Sequence, residues 1–355
     1  MQNSSKNKYY KLYNDMKKAI LCGEYKAGEK LPSKRVVADK TGYSLITVQT
    51  AYDMLSEEGY VTAKERSGYF VCKIDAFFSS EIQNAQKPFT RLEEERGEEE
   101  PDFECSVYLR TVRKVISDWH KLLFKKSPQK GCPILRNAIA DYLYRYRGMI
   151  AEPSRIIIGS GAEQLYETVI KLLGRTKIYG VENPSYVLEK GIYDNAEIKI
   201  KLLTMGADGI ISSELNRDFD VLHVTPFRSY PSDVTTSVSK HYEYLLWAEK
   251  AGGYIIEDDF NSEFFLPGQP IETLYSLGGG KRIIYINTFS KSLSPSIRVG
   301  YMILPEELLS VYDEKLGGLA CSVPVLDQYV LAEFLESGDF ERHLNRVRRK
   351  MNKKA

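Results

Sequence analysis

The stretch Thr288-Phe289-Ser290-Lys291-Ser292-Leu293-Ser294-Pro295-Ser296-Ile297-Arg298-Val299-Gly300-Tyr301 decides how the chain is read. It follows an apolar run, Arg282-Ile283-Ile284-Tyr285-Ile286, that predicts a buried strand. A lysine at the end of such a strand, between small hydroxyl residues, suits a Schiff base to an aldehyde cofactor. Partial burial lowers an ammonium pKa toward the free amine that acts as nucleophile. Arg298 can grip a phosphate with its planar fork, and Thr288 and Ser290 can donate further hydrogen bonds. The ordinary alternative is a solvated loop lysine, and the surrounding residues weigh against it.

Upstream of this stretch, apolar strand-like runs alternate with helix-like ones, the mark of an α/β domain. Leu135-Arg136-Asn137-Ala138-Ile139-Ala140-Asp141-Tyr142-Leu143 reads as an amphipathic helix. Arg155-Ile156-Ile157-Ile158 reads as a strand running into Gly159-Ser160-Gly161-Ala162, which opens another helix. A glycine turn at a helix N-terminus offers free N–H groups to a phosphate. That signal is weak alone and gains weight because Lys291 independently asks for a phosphorylated cofactor. There is no complete dinucleotide fingerprint and no P-loop. Tyr186, closing the turn Glu182-Asn183-Pro184-Ser185-Tyr186, can stack on a flat ring or serve as a core tyrosine. Tyr254-Ile255-Ile256-Glu257-Asp258-Asp259 is a strand ending in three carboxylates. Three acids can bind Mg²⁺, but one carboxylate, Asp258, paired with a protonated pyridine nitrogen is the better use.

With 355 residues, 43% hydrophobic and 27% charged, the chain has room for two or three domains of ordinary soluble composition. It shows no signal-peptide core and no bilayer-spanning run, and its five scattered cysteines suggest neither a zinc site nor a disulfide framework. A cytoplasmic protein is expected. The net charge of +1 hides an asymmetry: residues 1–74 hold 13 Lys and Arg against 8 Asp and Glu, the remainder 36 against 40. A basic front on an acidic chain points to a polyanion partner for that segment.

The front predicts three helices. Residues 8–22 place Leu12, Met16 and Ile20 at helical spacing; Ser33 caps a second helix that stops at Gly42; Ser44 caps a third, from about 45 to 58. The tight turn Thr41-Gly42-Tyr43 gives a helix-turn-helix layout, and residues 60–65 and 69–72 alternate like the strands of a wing. On Leu31-Pro32-Ser33-Lys34-Arg35, Thr47-Val48, Ala51-Tyr52, Leu55, Glu58-Gly59-Tyr60 and Ser67-Gly68, residues 8–73 resemble the winged helix-turn-helix of GntR-type bacterial repressors. The resemblance implies a double-stranded DNA operator, with the start of the third helix in the major groove. It implies contacts from Ser33, Arg35, Ser44, Thr47, Gln49, Arg66, Ser67 and Gly68. The family usually has arginine after the capping serine; here Leu45 removes one charged contact. Residues 75–104, acidic and poor in apolar residues, read as a flexible linker.

The larger part, residues 105–355, resembles the pyridoxal-phosphate (PLP) domain of fold-type I aminotransferases, on Arg147-Gly148, Gly159-Ser160-Gly161, Glu182-Asn183-Pro184, Tyr186, Thr225-Pro226, Glu257-Asp258-Asp259, Thr288-Phe289-Ser290-Lys291 and Arg298. Both halves together resemble the MocR subfamily of bacterial regulators. The resemblance implies that Lys291 bonds the cofactor, Asp258 meets the ring nitrogen and Tyr186 stacks. Ser160, Gly161, Ala162, Thr288, Ser290 and Arg298 would surround the phosphate. It further implies a homodimer and a small amino-compound effector that takes Lys291's place on the cofactor.

Three departures stand out. Phe260 replaces the usual tyrosine two residues after the ring aspartate. Phe227-Arg228-Ser229-Tyr230-Pro231-Ser232-Asp233 replaces the usual Ser-His-Gln-Phe-Pro-Thr-Gly. The chain stops in a long basic helix ending Arg346-Val347-Arg348-Arg349-Lys350-Met351-Asn352-Lys353-Lys354-Ala355, where related proteins continue into a small domain carrying the carboxylate-binding arginine. The expected reading is a PLP-binding, DNA-binding regulator lacking that small domain. Two rivals stay open: an active aminotransferase with a DNA-binding head, whose carboxylate clamp and ring-binding set are incomplete here, and a regulator whose sensor domain no longer holds PLP.

Overall fold

The computed structural model describes residues 3–64, 67–73, 105–185, 187–216, 218–264 and 272–354. The chain divides into two compact units, Met1–Arg96 and Gly97–Ala355. The expected linker and its boundary at residue 74 fall outside the described residues.

In the first unit, α1 (Asn3–Leu21), α2 (Lys34–Thr41) and α3 (Leu45–Glu57) precede a hairpin of β1 (Val61–Lys64) and β2 (Gly68–Val71). Ser33 and Ser44 adopt extended backbone, and their Oγ atoms accept from Val36 N (3.4 Å) and Thr47 N (3.2 Å). Each cap satisfies an N–H that the helix itself leaves without a partner. Val48, Ala51, Tyr52 and Leu55 form the buried stripe of α3, in one cluster with Leu12, Met16 and Ile20 of α1 and with Val61 and Val71 of the hairpin. Tyr52 Oη donates to Pro32 O at 2.9 Å, so the ring is buried without stranding its hydroxyl. The hairpin is antiparallel, running in register from Val61 opposite Val71 to Lys64 opposite Gly68.

The second unit is built on a seven-stranded sheet of order β3-β9-β8-β7-β6-β4-β5. The strands are β3 (Ile156–Gly159), β4 (Ile178–Asn183), β5 (Lys199–Thr204), β6 (Val221–Val224), β7 (Tyr254–Asp258), β8 (Ile283–Thr288) and β9 (Gly300–Ile303). Only β9 runs against its neighbours; the other pairs are parallel. Successive strand residues belong to different cores. Ile158, Ile255, Ile283, Tyr285 and Tyr301 pack on one face with helices Pro133–Arg147, Val238–Ala251 and Val325–Glu336. Ile157, Ile256, Ile284, Ile286 and Met302 pack on the other with helices Ala162–Leu173 and Glu307–Leu316. Burial on both faces explains why the central strands are near-continuous apolar runs. A further helix, Asp339–Lys354, carries the basic run expected at the end of the chain. Among the described residues, no helix is long and apolar enough to cross a membrane.

Leu55 is fully buried in the helix-turn-helix core. Leu55→Ala should destabilise that unit by about 2–5 kcal/mol, the cost of a core truncation. Circular dichroism melting of the full chain should therefore show a lower-temperature loss of helix signal.

Candidate functional site

Strand register brings the separated motifs of the second unit to one edge. Gly159 and Thr288 both stand opposite Gly300, and Asp258 stands beside Ile286, two residues before the end of β8. Ser160–Ala162, Phe289–Lys291 and the residues after Asp258 therefore leave the sheet at the carboxyl ends of β3, β8 and β7. In open α/β sheets this edge is where ligands bind.

Lys291 sits in a single helical turn, Phe289–Ser292, rather than in an open loop, because the chain turns at once to let Phe289 enter the core. Its Nζ donates to Asn261 Oδ1 and lies 4.8 Å from the centre of the Phe260 ring. Lys291 and Asn261 line a cleft of about 200 Å³ with Arg228, Ser229, Tyr230, Pro231, Asp233 and Phe264. Partial burial of the amine in the cleft lowers the pKa of the ammonium although the residue as a whole is exposed, the Arg228 charge lowers it further, and Asp258 pulls the other way. All three causes act on a group that must shed a proton to attack a carbonyl.

Two partners of this lysine were not legible in the sequence. Asn261 spans the site: besides accepting from Lys291, its Nδ2 donates to Arg228 O at 2.8 Å. Arg228 pairs with Asp233 (Nε to Oδ1, 2.8 Å) across a loop in which both residues have positive φ. Glu182, buried at the end of β4, holds that loop from behind, accepting from Ser229 Oγ at 2.6 Å and Thr225 N at 3.2 Å.

The residues expected around a phosphate fall at the start of helix Ala162–Leu173 and after β8. Gly161 occupies the N-cap with φ +95° and no side-chain cap. A Cβ there would sit 2.9 Å from Arg298 Nη2 and would force a conformation that L-residues avoid. Arg298 Nη2 donates to Glu163 Oε2 at 2.7 Å, both side chains half-exposed. Ser160 Oγ accepts from Ser322 Oγ at 3.1 Å, Ser290 Oγ donates to Ile297 O at 2.9 Å, and Thr288 is buried.

The three carboxylates at the end of β7 diverge, as successive residues of extended chain do. Asp258 accepts a hydrogen bond from Tyr166 Oη. Glu257 accepts from Leu274 N and Tyr275 N at 2.7 and 2.8 Å, and burial pushes its carboxyl up to about 8. Asp259 accepts from Arg147 Nη2 and Tyr285 Oη at 2.8 and 2.7 Å. Among the described residues no group of His, Cys, Asp and Glu is gathered that could hold a metal ion. Tyr186 lies outside the described residues.

In the first unit, the caps Ser33 and Ser44 and the exposed Arg35 stand at the N-termini of α2 and α3. Thr47 Oγ1 is 2.9 Å from Ser44 Oγ. Gln49 donates to Asp53 Oδ1 at 2.5 Å and Tyr69 Oη at 3.1 Å, and accepts from Lys34 Nζ. Ser67 is the turn residue before β2 and Gly68 opens the strand with φ +111°; Arg66 lies outside the described residues.

Comparison with known proteins bears on both units. The family described as "Bacterial regulatory proteins, gntR family" matches residues 8–71. An uncharacterized helix-turn-helix regulator of Bacillus subtilis (strain 168), YdeL, is 31% identical over 98% of this chain and 77% of its own length. The probable rhizopine catabolism regulatory protein MocR of Rhizobium meliloti is 28% identical over 95% of this chain and 73% of its own length. Among solved structures, an archaeal alanine:glyoxylate aminotransferase superposes with a TM-score of 0.63 at 25% identity, over 74% of this chain and 67% of its own. The chain belongs to the MocR-type GntR family of helix-turn-helix transcriptional regulators, in which an aminotransferase-like α/β domain follows the DNA-binding one.

Proposed function

We propose that this regulator holds PLP through Lys291, and that an amino compound competing for the cofactor's aldehyde changes its affinity for a DNA operator. The observation that carries the reading is the environment of Lys291: an amine with lowered proton affinity in a cleft at the carboxyl ends of the parallel strands β7 and β8. PLP, when bound, supplies an aldehyde that bonds amines and a pyridine ring that withdraws electrons.

The donor set fits such a molecule. Asp258, fixed by Tyr166, offers a buried carboxylate to keep a ring nitrogen protonated. The close approach of Arg298 to Gly161 leaves a cradle that a side chain would fill. Ser160, Gly161, Ala162, Thr288, Ser290 and Arg298 would take the phosphate, and Tyr186 would stack on the ring. A half-exposed pair such as Arg298–Glu163 contributes little, so a phosphate displaces Glu163 at small cost. Asn261 holds the lysine amine in place and, through Arg228 O, ties it to the loop on the far side of the cleft. In the first unit, Ser33, Arg35, Ser44, Thr47, Gln49, Arg66, Ser67 and Gly68 would meet the operator. A homodimer reading two half-sites in the bacterial cytoplasm completes the reading.

A second reading, a regulator whose pocket no longer takes the cofactor, draws on Phe260, which places a ring without a hydroxyl against Lys291. The purified protein with added PLP separates the two. A violet-region band and, after borohydride, a covalent adduct on Lys291 support cofactor binding; absence of both supports the second reading.

Lys291→Ala should abolish band and adduct while leaving basal operator binding intact. Bond formation needs the free amine, so its rate rises with pH through the Lys291 pKa. Arg228→Gln removes a positive neighbour, raises that pKa, and should move the rise to more alkaline pH in stopped-flow absorbance. Gly161→Ala should weaken PLP binding about tenfold, the order of backbone strain at a positive φ, without moving that pH profile.

A further inference from the structure

The leading end of α3 carries apolar side chains that the core of the first unit does not use. Its exposed large apolar side chains, among the described residues, are Tyr10, Val36, Leu45 and Ile46. Three of these four stand on the helix-turn-helix, and Ile46, at 79% exposure, is the most exposed of them. Leu45, at 51%, is the first residue of α3. Neither belongs to the buried cluster that α3 forms with α1 and the hairpin. A β-branched isoleucine also gains nothing as a helix former, so folding alone gives no reason for it at this position.

The polar side chains Thr47, Gln49, Thr50 and Asp53 of α3 are already engaged. Gln49 is held by Lys34, Asp53 and Tyr69, and Asp53 Oδ1 also accepts from Tyr69 Oη at 3.2 Å. Thr50 Oγ1 donates to Ile46 O at 2.9 Å, and Thr47 is tied to the Ser44 cap. Thr47 and Gln49 meet the operator only by sharing or giving up these partners, so the side chains at the leading end that can touch a base edge without doing so are the apolar Leu45 and Ile46. On a base-pair edge in the major groove, the apolar group available to them is the thymine 5-methyl. The exposed Arg35 at the start of α2 and the basic surplus of residues 1–74 supply the attraction that brings phosphates near.

We propose that Leu45 and Ile46 read thymine methyl groups in the operator half-site. This rests on the operator-binding reading above. The two can fail separately.

The test uses the full chain and duplexes selected by it from a random-sequence library at fixed salt. Each dT of a selected duplex is replaced singly by dU, which removes only the methyl, and Kd is read by fluorescence anisotropy. The expected result is a loss of about three- to tenfold at one or two positions per half-site. Ile46→Ala or Leu45→Ala should weaken the parent duplex by a similar factor, after which dU at the matching position makes no further difference. Circular dichroism should show both variants melting like the parent. Tight binding indifferent to every dU, or dU sensitivity that survives in both variants, would overturn the proposal. A chain that selects no duplex refutes the operator reading itself and this proposal with it.

Discussion

The alignment of Gly159, Gly300 and Thr288 across β3, β9 and β8 is the constraint on which the larger unit's site depends. It fixes the level at which three chain segments leave the sheet, and so brings Gly161, Lys291 and Arg298 to the same edge. Close packing enforces it. A Cβ on Gly159 would meet Gln164 Oε1 at 2.3 Å and Leu165 at 2.6 Å, so the first turn of helix Ala162–Leu173 lies directly on the strand end. A bulkier residue there would push the helix start, and with it the Gly161–Arg298 cradle, away from the lysine. The antiparallel β9 is what allows Arg298, just before it, to return to the edge where β3 and β8 end.

A second consequence of strand geometry is the sorting of charge. Period-two alternation sends Glu257 and Asp259 to one face of the sheet and Asp258 to the other. On the first face, Arg147, Tyr142, Tyr285, Asn287 and Glu263 surround Asp259 in a buried network. Burial favours the neutral form of Glu263, while Arg147 opposes that shift. Removing one member would leave the others desolvated and without a partner, which costs more than any single bond in the network is worth. This network anchors the segment after β7 that carries Phe260 and Asn261. The structural carboxylates thus hold the backbone, while Asp258 stands apart with Tyr166.

Much of this was legible in the sequence, and the part that was not has a common cause. Buried strands announced themselves as Ile-rich runs, and the caps Ser33 and Ser44 marked their helices, because both signals are local. Lys291, Asp258 and Arg298 stood out through a motif, and register then brought their segments together. Asn261 carries no local mark, and Glu182 and Arg228 stood in noted stretches without showing what they hold: each acts through partners between 30 and 47 positions away. Lys34 was likewise hidden, since only the crossing of α2 and α3 shows that it spends its charge on Gln49. The helical turn around Lys291 was missed because strand-then-loop is the simpler continuation of an apolar run. It forms because Phe289 buries its ring beside Tyr301 and Phe340.

On the proposed reading, Asn261 also sets what a change at Lys291 must do. A ligand alters an equilibrium only through contacts that differ between states. Here the difference is concrete: when the lysine nitrogen is taken up in a bond to the cofactor, Asn261 Oδ1 loses its donor in a nearly buried position. An amide oxygen left without a partner costs about 1–3 kcal/mol, so either another group must donate to it or the amide must turn. Turning breaks the bond from Nδ2 to Arg228 O and loosens a loop otherwise held by Glu182 through Ser229 and Thr225. An amine that takes the cofactor's aldehyde frees the Lys291 amine to donate to Asn261 again, and the loop would tighten. Asn261 would thus pass the state of Lys291 to the loop on the far side of the cleft.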